Sequence, residues 1–161
     1  MVGKDYSSDS SQNTTFGYDS AGNRVKMNDG SGKSSYTYDL MGRVKTVTNG
    51  QGKTVTYTYN DADLISAIKY ADGSKVSYGY DLDDNLTTVA TAQGTTTYSY
   101  DSAGRLTSVK RPNGTVTYYT YDANSNIIAL LNDDKRKKLL SGFKYTYDGN
   151  RTITNTFPSH P

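Results

Sequence analysis

The sequence predicts an all-β chain built from repeated hairpins, and three observations predict it. An aromatic-x-Tyr pair recurs at nearly constant spacing, period-two alternation of apolar and small polar residues leads into it, and Asp, Asn and Gly follow at fixed offsets. The composition agrees: 161 residues include 16 Tyr and 15 Gly but no Trp and no Cys. Tyr and the abundant Thr fit a pleated surface, whereas Gly, Asn and Asp supply turns.

The repeat is defined by the second aromatic of each pair. The pairs are Phe16/Tyr18, Tyr36/Tyr38, Tyr57/Tyr59, Tyr78/Tyr80, Tyr98/Tyr100, Tyr119/Tyr121 and Tyr145/Tyr147, with successive anchors 20, 21, 21, 20, 21 and 26 residues apart. One residue after the anchor come Asp19, Asp39, Asn60, Asp81, Asp101, Asp122 and Asp148. Four after it stand Gly22, Gly42 and Gly104, replaced elsewhere by Asp63, Asp84, Ser125 and Arg151. Aliphatic residues follow at plus six (Val44, Ile65, Leu86, Leu106, Ile127, Ile153) and plus nine (Val47, Ile68, Val89, Val109, Leu130). Gly32, Gly52, Gly73, Gly94 and Gly114 lie fourteen after the anchor.

Each position has a physical reading. Thr54 to Tyr59 alternates strictly, so Val55, Tyr57 and Tyr59 share one face of a half-buried strand and the threonines share the other. Tyr-Asp-x-x-Gly then turns the chain, because Asp accepts bonds from backbone amides two residues on and Gly tolerates positive φ. A second strand such as 43–48 ends at an x-Gly pair that resembles a two-residue primed hairpin turn. The aliphatics at plus six and plus nine break alternation, which predicts a β-bulge or an early strand exit between them. The one-residue difference between repeats is expected in a bulge near the hairpin Gly. A single hairpin of this size buries too little to stand alone, so neighbours must stabilise one another. The expected product is about seven hairpins in one long antiparallel sheet, curled around its Tyr-rich face. Residues 1–15 read as a flexible leader, 16–153 as the array and 154–161 as a tail.

The string Tyr-x-Tyr-Asp-x-x-Gly-Arg-Leu-x-x-Val…Pro-Asn-Gly, complete at residues 98–114, resembles the YD/RHS repeat of bacterial RHS proteins, wall-associated polymorphic toxins, toxin-complex subunits and teneurins. The residues that carry the repeat include Tyr38, Asp39, Gly42, Tyr59, Tyr80, Asp81, Tyr100, Asp101, Gly104, Tyr121 and Asp122. The resemblance implies a spiralling β-shell that walls off an enclosed toxin or variable domain in a secreted or surface protein. It implies as partners the rest of the parent shell and its cargo. It implies a structural module rather than an enzyme, extracellular through its parent.

Other chemistry is weighed against that reading. A net charge of +2 is too small to require nucleic acid or an anionic membrane. Residues 1–15 lack the apolar core of a signal peptide, and the chain is read as a piece of a larger protein. Asp81-Leu-Asp83-Asp84-Asn85 alternates oxygen ligands as a calcium loop does, yet lacks the Gly at loop position six and has Ala92 where the twelfth-position Glu belongs. Its Asp81 is accounted for by the turn. Lys135, Arg136, Lys137 and Lys138 sit where the spacing stretches, as a longer loop in place of the hairpin Gly, and form a polyanion-binding candidate. Exposed Tyr rings or this loop make a carbohydrate-binding adhesion module the alternative function. His160 has no Ser or Asp constellation around it, and nothing calls for a cofactor or a metal. Four sequons, at Asn13, Asn85, Asn113 and Asn150, follow from composition. An isolated piece would expose an aromatic face and strand edges, which predicts a homodimer or larger assembly with Tyr57, Tyr78 and Tyr98 buried.

Overall fold

The computed structural model describes residues 2–4, 14–148 and 153–159; all its regular elements are strands. They are β1 (Val2–Lys4), β2 (Thr14–Tyr18), β3 (Arg24–Asp29), β4 (Gly32–Tyr38), β5 (Val44–Thr48), β6 (Thr54–Tyr59), β7 (Ile65–Lys69), β8 (Lys75–Tyr80), β9 (Leu86–Thr91), β10 (Gly94–Tyr100), β11 (Leu106–Lys110), β12 (Val116–Tyr121), β13 (Ile127–Asp133), β14 (Leu139–Tyr147) and β15 (Ile153–Ser159). Strand order in the sheet is chain order. Compactness divides the chain into two units, Met1–Val76 and Ser77–Pro161.

In the first unit, β4 and β5 show the plan. Tyr36 faces Val47 and Tyr38 faces Val44, while Thr37 faces Thr46. Lys45 is the extra residue, so the bulge falls between plus six and plus nine and brings both aliphatics onto the Tyr face. The pairs Tyr57–Ile68 and Tyr59–Ile65 repeat this on β6 and β7. The opposite face is polar: the Thr37 and Thr46 hydroxyls lie 2.6 Å apart and those of Thr48 and Thr54 2.8 Å apart. The second unit repeats the plan, with Tyr78–Val89 and Tyr80–Leu86, Tyr98–Val109 and Tyr100–Leu106, and Tyr119–Leu130 and Tyr121–Ile127.

The turns at the hairpin Gly residues differ from the uniform two-residue loops expected. Only two are of that kind, Gly30-Ser31 between Asp29 and Gly32 and Ala92-Gln93 between Thr91 and Gly94. The other three span five residues. In 49–53 Asn49 N donates to Lys53 O and Gly52 N to Asn49 O, with the same pattern at 70–74 and 111–115. That is a tight turn followed by a left-handed residue, the three-residue hairpin with a glycine bulge. Backbone angles separate the classes: φ is 114° and 123° at Gly32 and Gly94, against 76°, 86° and 85° at Gly52, Gly73 and Gly114. The two-residue loops belong to the 20-residue repeats and the longer ones to the 21-residue repeats. Turn type, rather than an added strand bulge, carries the one-residue difference.

The ends also differ from the sequence reading. Val2–Lys4, assigned to a flexible leader, pairs with β2 (Val2 opposite Phe16), and β15 continues past 153 into the expected tail. An edge strand offers unpaired main-chain groups, which an extended segment readily satisfies. His160 and the sequons at Asn13 and Asn150 lie outside the described residues.

Burial is shallow. Among the described residues only Ser34, Ala67, Val109, Thr117 and Gly142 are buried, and Tyr57, Tyr78 and Tyr98 are half-buried.

Candidate functional site

The repeated chemistry lies at the Tyr-Asp turn. Asp39 closes it by accepting on one carboxylate oxygen from Met41 N at 3.0 Å and Arg43 N at 2.9 Å. Asp39 N donates to Arg43 O, and Gly42 N to Asp39 O. The same bonds recur around Asp19, Asp81, Asp101 and Asp122. Where Gly is missing at plus four, the backbone keeps its left-handed angle: φ is 62° at Asp63 and Asp84 and 64° at Ser125.

The second carboxylate oxygen reveals a position that the sequence reading passed over. Five residues after the anchor stands Arg or Asn, which donates to that oxygen: Arg43 and Arg105 at 2.8 Å, Asn23 and Asn85 at 3.1 Å, Asn126 at 2.9 Å. The position holds Leu64 where Asn60 replaces the Asp, and Thr152 after Asp148. That pairing is legible in the sequence. Hydrogen bonds shift the carboxyls: the Asn23 amide and the Arg105 guanidinium hold Asp19 and Asp101 below the ordinary carboxylate range. At Asp39 and Asp81 partial desolvation opposes the shift, yet bonds from Arg43 and Asn85 still hold the carboxyl low.

Each turn is tied to the next repeat. The Arg43 guanidinium lies 4.5 Å from the centre of the Tyr59 ring and donates to Asp63 in the following turn. Arg105 lies 4.8 Å from the Tyr121 ring centre and donates at 3.2 Å to both Asp122 O and Ser125 Oγ. Arg24 stacks over Tyr36 at 4.6 Å.

The anchor hydroxyl completes the link. Tyr38, Tyr59, Tyr100 and Tyr121 donate at 2.8 Å to the main-chain oxygens of Arg24, Val44, Leu86 and Leu106, and Tyr147 donates at 2.6 Å to Ile127 O. Every acceptor is the plus-six residue of the preceding repeat. The β5–β6 ladder stops at Thr46–Thr56, short of Val44, and the β11–β12 ladder stops at Ser108–Tyr118, short of Leu106. The bulge leaves this carbonyl beyond the ladder, and a phenol takes the place of the main-chain donor. Loss of water around Tyr59, Tyr100 and Tyr121 raises their phenol pKa values.

A polar seam crosses the Tyr face of the second unit. Arg111 Nη1 donates to Thr117 Oγ1 at 2.8 Å, Thr117 to Asn132 Oδ1 at 2.7 Å, and Asn132 Nδ2 to Ser141 Oγ at 3.0 Å. Thr117 is 3% exposed. Each of these groups finds a partner, as partly buried polar atoms require.

The basic tetrad does not form the longer loop expected. Asp134 builds the same tight turn, accepting from Arg136 N at 2.7 Å and Lys138 N at 2.9 Å, with Lys137 N on its main-chain oxygen and Lys137 at φ 62°. The added residues go instead into β13 and β14, of 7 and 9 residues. All four cations are exposed, and none pairs with a carboxylate among the described residues. At the calcium-like segment, Asp81 spends both oxygens on the turn. No group of three or more His, Cys, Asp or Glu among the described residues is arranged to hold a metal ion.

Hairpins closed by an Asp turn and a bulge, with Tyr38, Tyr59, Tyr100, Tyr121 and Tyr147 each bonded to the repeat before, define a YD-type β-hairpin repeat array. Residues 4–96, more than half the chain, match the family described as Teneurin YD-shell, and the chain belongs to that family. The RHS Repeat family matches residues 80–116 and 100–137. No curated protein matches the chain. Among solved structures, the crystal structure of TcdB2-TccC3-Cdc42 superposes with a TM-score of 0.81 at 14% identity, covering 97% of this chain and 10% of that one. TcdB2-TccC3 without its hypervariable C-terminal region gives 0.79 at 15%, covering 90% and 9%. The Tc holotoxin pore of Photorhabdus luminescens gives 0.75 at 16%, covering 85% and 8%. At these identities the likeness is one of fold, and the chain spans about a tenth or less of each of those chains.

Proposed function

We propose that the chain is a non-catalytic wall segment of a longer, secreted or surface-displayed YD-shell protein, whose repeats enclose a toxin or other variable domain. The observation that carries this reading is the use of the recurrent side chains. Anchor Tyr, turn Asp and plus-five Arg or Asn spend their polar atoms on closing turns and joining repeats. The half-buried Tyr face supports a surface covered by something else in the parent. The structural neighbours support the same reading by fold: they include TcdB2-TccC3-Cdc42 and TcdB2-TccC3 without hypervariable C-terminal region. Partners are then the remaining shell and its cargo domain.

Thiol labelling of the full-length parent tests this. Cysteine placed at Tyr57, on the Tyr face, should resist a membrane-impermeant maleimide in the intact protein, whereas cysteine at Thr58, on the opposite face, should react. Equal labelling of both would defeat the wall reading.

A second reading, binding of a polyanion such as an acidic surface glycan by Lys135, Arg136, Lys137 and Lys138, is favoured by one observation. Lys137 occupies a left-handed position that suits Gly, and its ammonium has no partner among the described residues. Salt-dependent retention on an anionic resin, lost when the four are replaced by Ser, would support it. Unchanged retention would remove it.

A further inference from the structure

The chain contains two Asn-Gly steps, Asn49-Gly50 and Asn113-Gly114, both at exposed hairpin tips. The five-residue turns treat them differently, because each places its Asn at a different position. Asn113 is the third residue of its turn, and Gly114 N is committed as a donor to Arg111 O at 2.9 Å. Asn49 is the first residue of its turn, and Gly50 N makes no hydrogen bond among the described residues. The Asn49 side-chain oxygen accepts from two backbone amides, Gln51 N and Lys53 N, each at 3.0 Å. Two fixed donors on a carbonyl oxygen polarise its carbon and stabilise negative charge that develops during attack. The Asn113 oxygen also accepts from two, Thr115 N at 3.0 Å and Thr115 Oγ1 at 2.8 Å, so the difference between the two sites lies in the Gly nitrogen, free at Gly50 and bonded at Gly114. Gly50 also lacks a side chain that would hinder its nitrogen.

We propose that Asn49 is a self-modifying site that deamidates in the folded protein while Asn113 is protected. Gly50 N attacks Asn49 Cγ, a new C–N bond forms, and the side-chain nitrogen leaves as ammonia, carrying the proton lost from Gly50 N. Water then opens the resulting succinimide at one of its two carbonyls to give aspartate or isoaspartate. No oxidant, metal or enzyme enters the balance. The aspartate product suits its surroundings, since Asp39 and Asp101 hold the same position in the same hydrogen-bonded turn. The isoaspartate product lengthens the main chain by a methylene and removes the carboxylate from reach of the two amides. The aspartate product thus makes this hairpin tip one more copy of the Asp turn, and either product adds one negative charge.

The test is a time course of the intact chain in ¹⁸O-water at mildly alkaline pH, folded and in urea, followed by peptide mass spectrometry. In the folded chain the label should accumulate in the tryptic peptide 46–53 well ahead of the peptide that carries Asn113. In urea the two sites should converge, because the Gly114 bond is lost. Equal labelling of both sites in the folded chain, or labelling of Asn49 in urea only, would overturn the proposal. Asn49→Asp supplies the second measurement: its thermal midpoint should match the unmodified chain, and a marked fall would refute the claim that the turn accepts the product.

Discussion

Tyr121→Phe isolates the hydroxyl that ties one repeat to the one before. The substitution removes the donor that reaches Leu106 O at 2.8 Å, while the ring, its place on β12 and its stacking with Arg105 remain. A hydrogen bond of this kind contributes about 0.5–1.5 kcal/mol net. Leu106 is half-buried, so its carbonyl regains part of its hydration, and a loss of about 1 kcal/mol is expected rather than the ~1–3 kcal/mol of a fully buried orphan. Tyr119→Phe is the control. It lies on the same strand and face, but its hydroxyl has no partner among the described residues, so its change should stay within about 0.5 kcal/mol. Urea unfolding followed by far-ultraviolet dichroism reads both, provided the slopes agree, so that the midpoint reports stability alone. Equal losses for the two variants would refute the staple, since packing rather than the hydroxyl would then be responsible.

Stability should depend on pH at both extremes. The folded carboxyls of Asp19, Asp29, Asp39, Asp72, Asp81 and Asp101 titrate below their ordinary value of 3.8, so their contribution is complete above that value and is lost as pH falls through the folded ones. The phenols of Tyr59, Tyr100 and Tyr121 titrate above 10.0, so their contribution is complete below that value and is lost as pH rises; thermal midpoints should form a plateau between the two limits. Asp84→Gly and Lys137→Gly should each stabilise by roughly 0.5–1 kcal/mol in urea titrations by relieving a left-handed non-glycine residue, whereas Gly73→Val, at φ 86°, should cost more than about 1 kcal/mol. A double-mutant cycle on Arg43 and Asp63 should give a small favourable coupling, modest because the Asp63 side chain is 62% exposed; a coupling of zero would leave Arg43 with only its own turn and the Tyr59 ring.

Much of the fold was legible because the repeat forces each residue into one role. The aliphatics at plus six and plus nine announced the bulge, since Val44 and Val47 reach one face only if an extra residue intervenes. The hairpin turns were less legible. Gln51-Gly52 looks like a two-residue loop in isolation, yet Asn49 to Gly52 has the same Asn/Asp-x-x-Gly spacing as Asp39 to Gly42 and folds the same way. The basic tetrad misled for a related reason: with Lys137 in the glycine position the turn signal vanishes from the sequence, although Asp134 keeps it in the backbone. The reach of Arg43 to Asp63 depends on two turns lying side by side, which strand register decides. The seam from Arg111 to Ser141 was invisible because Thr117, Asn132 and Ser141 are each unremarkable strand residues.

The anchor Tyr bonds a main-chain carbonyl rather than a matching side chain. Arg24, Val44, Leu86 and Leu106 accept the phenol at the same 2.8 Å, because every residue type presents the same oxygen. A joint of this kind needs no co-adapted partner. A hairpin duplicated, deleted or exchanged between genes at a Tyr-to-Tyr boundary meets a compatible socket wherever it lands, and point changes at plus six leave the socket intact. Such arrays can therefore change length by whole hairpins through unequal recombination, with selection acting on the number of modules rather than on each junction.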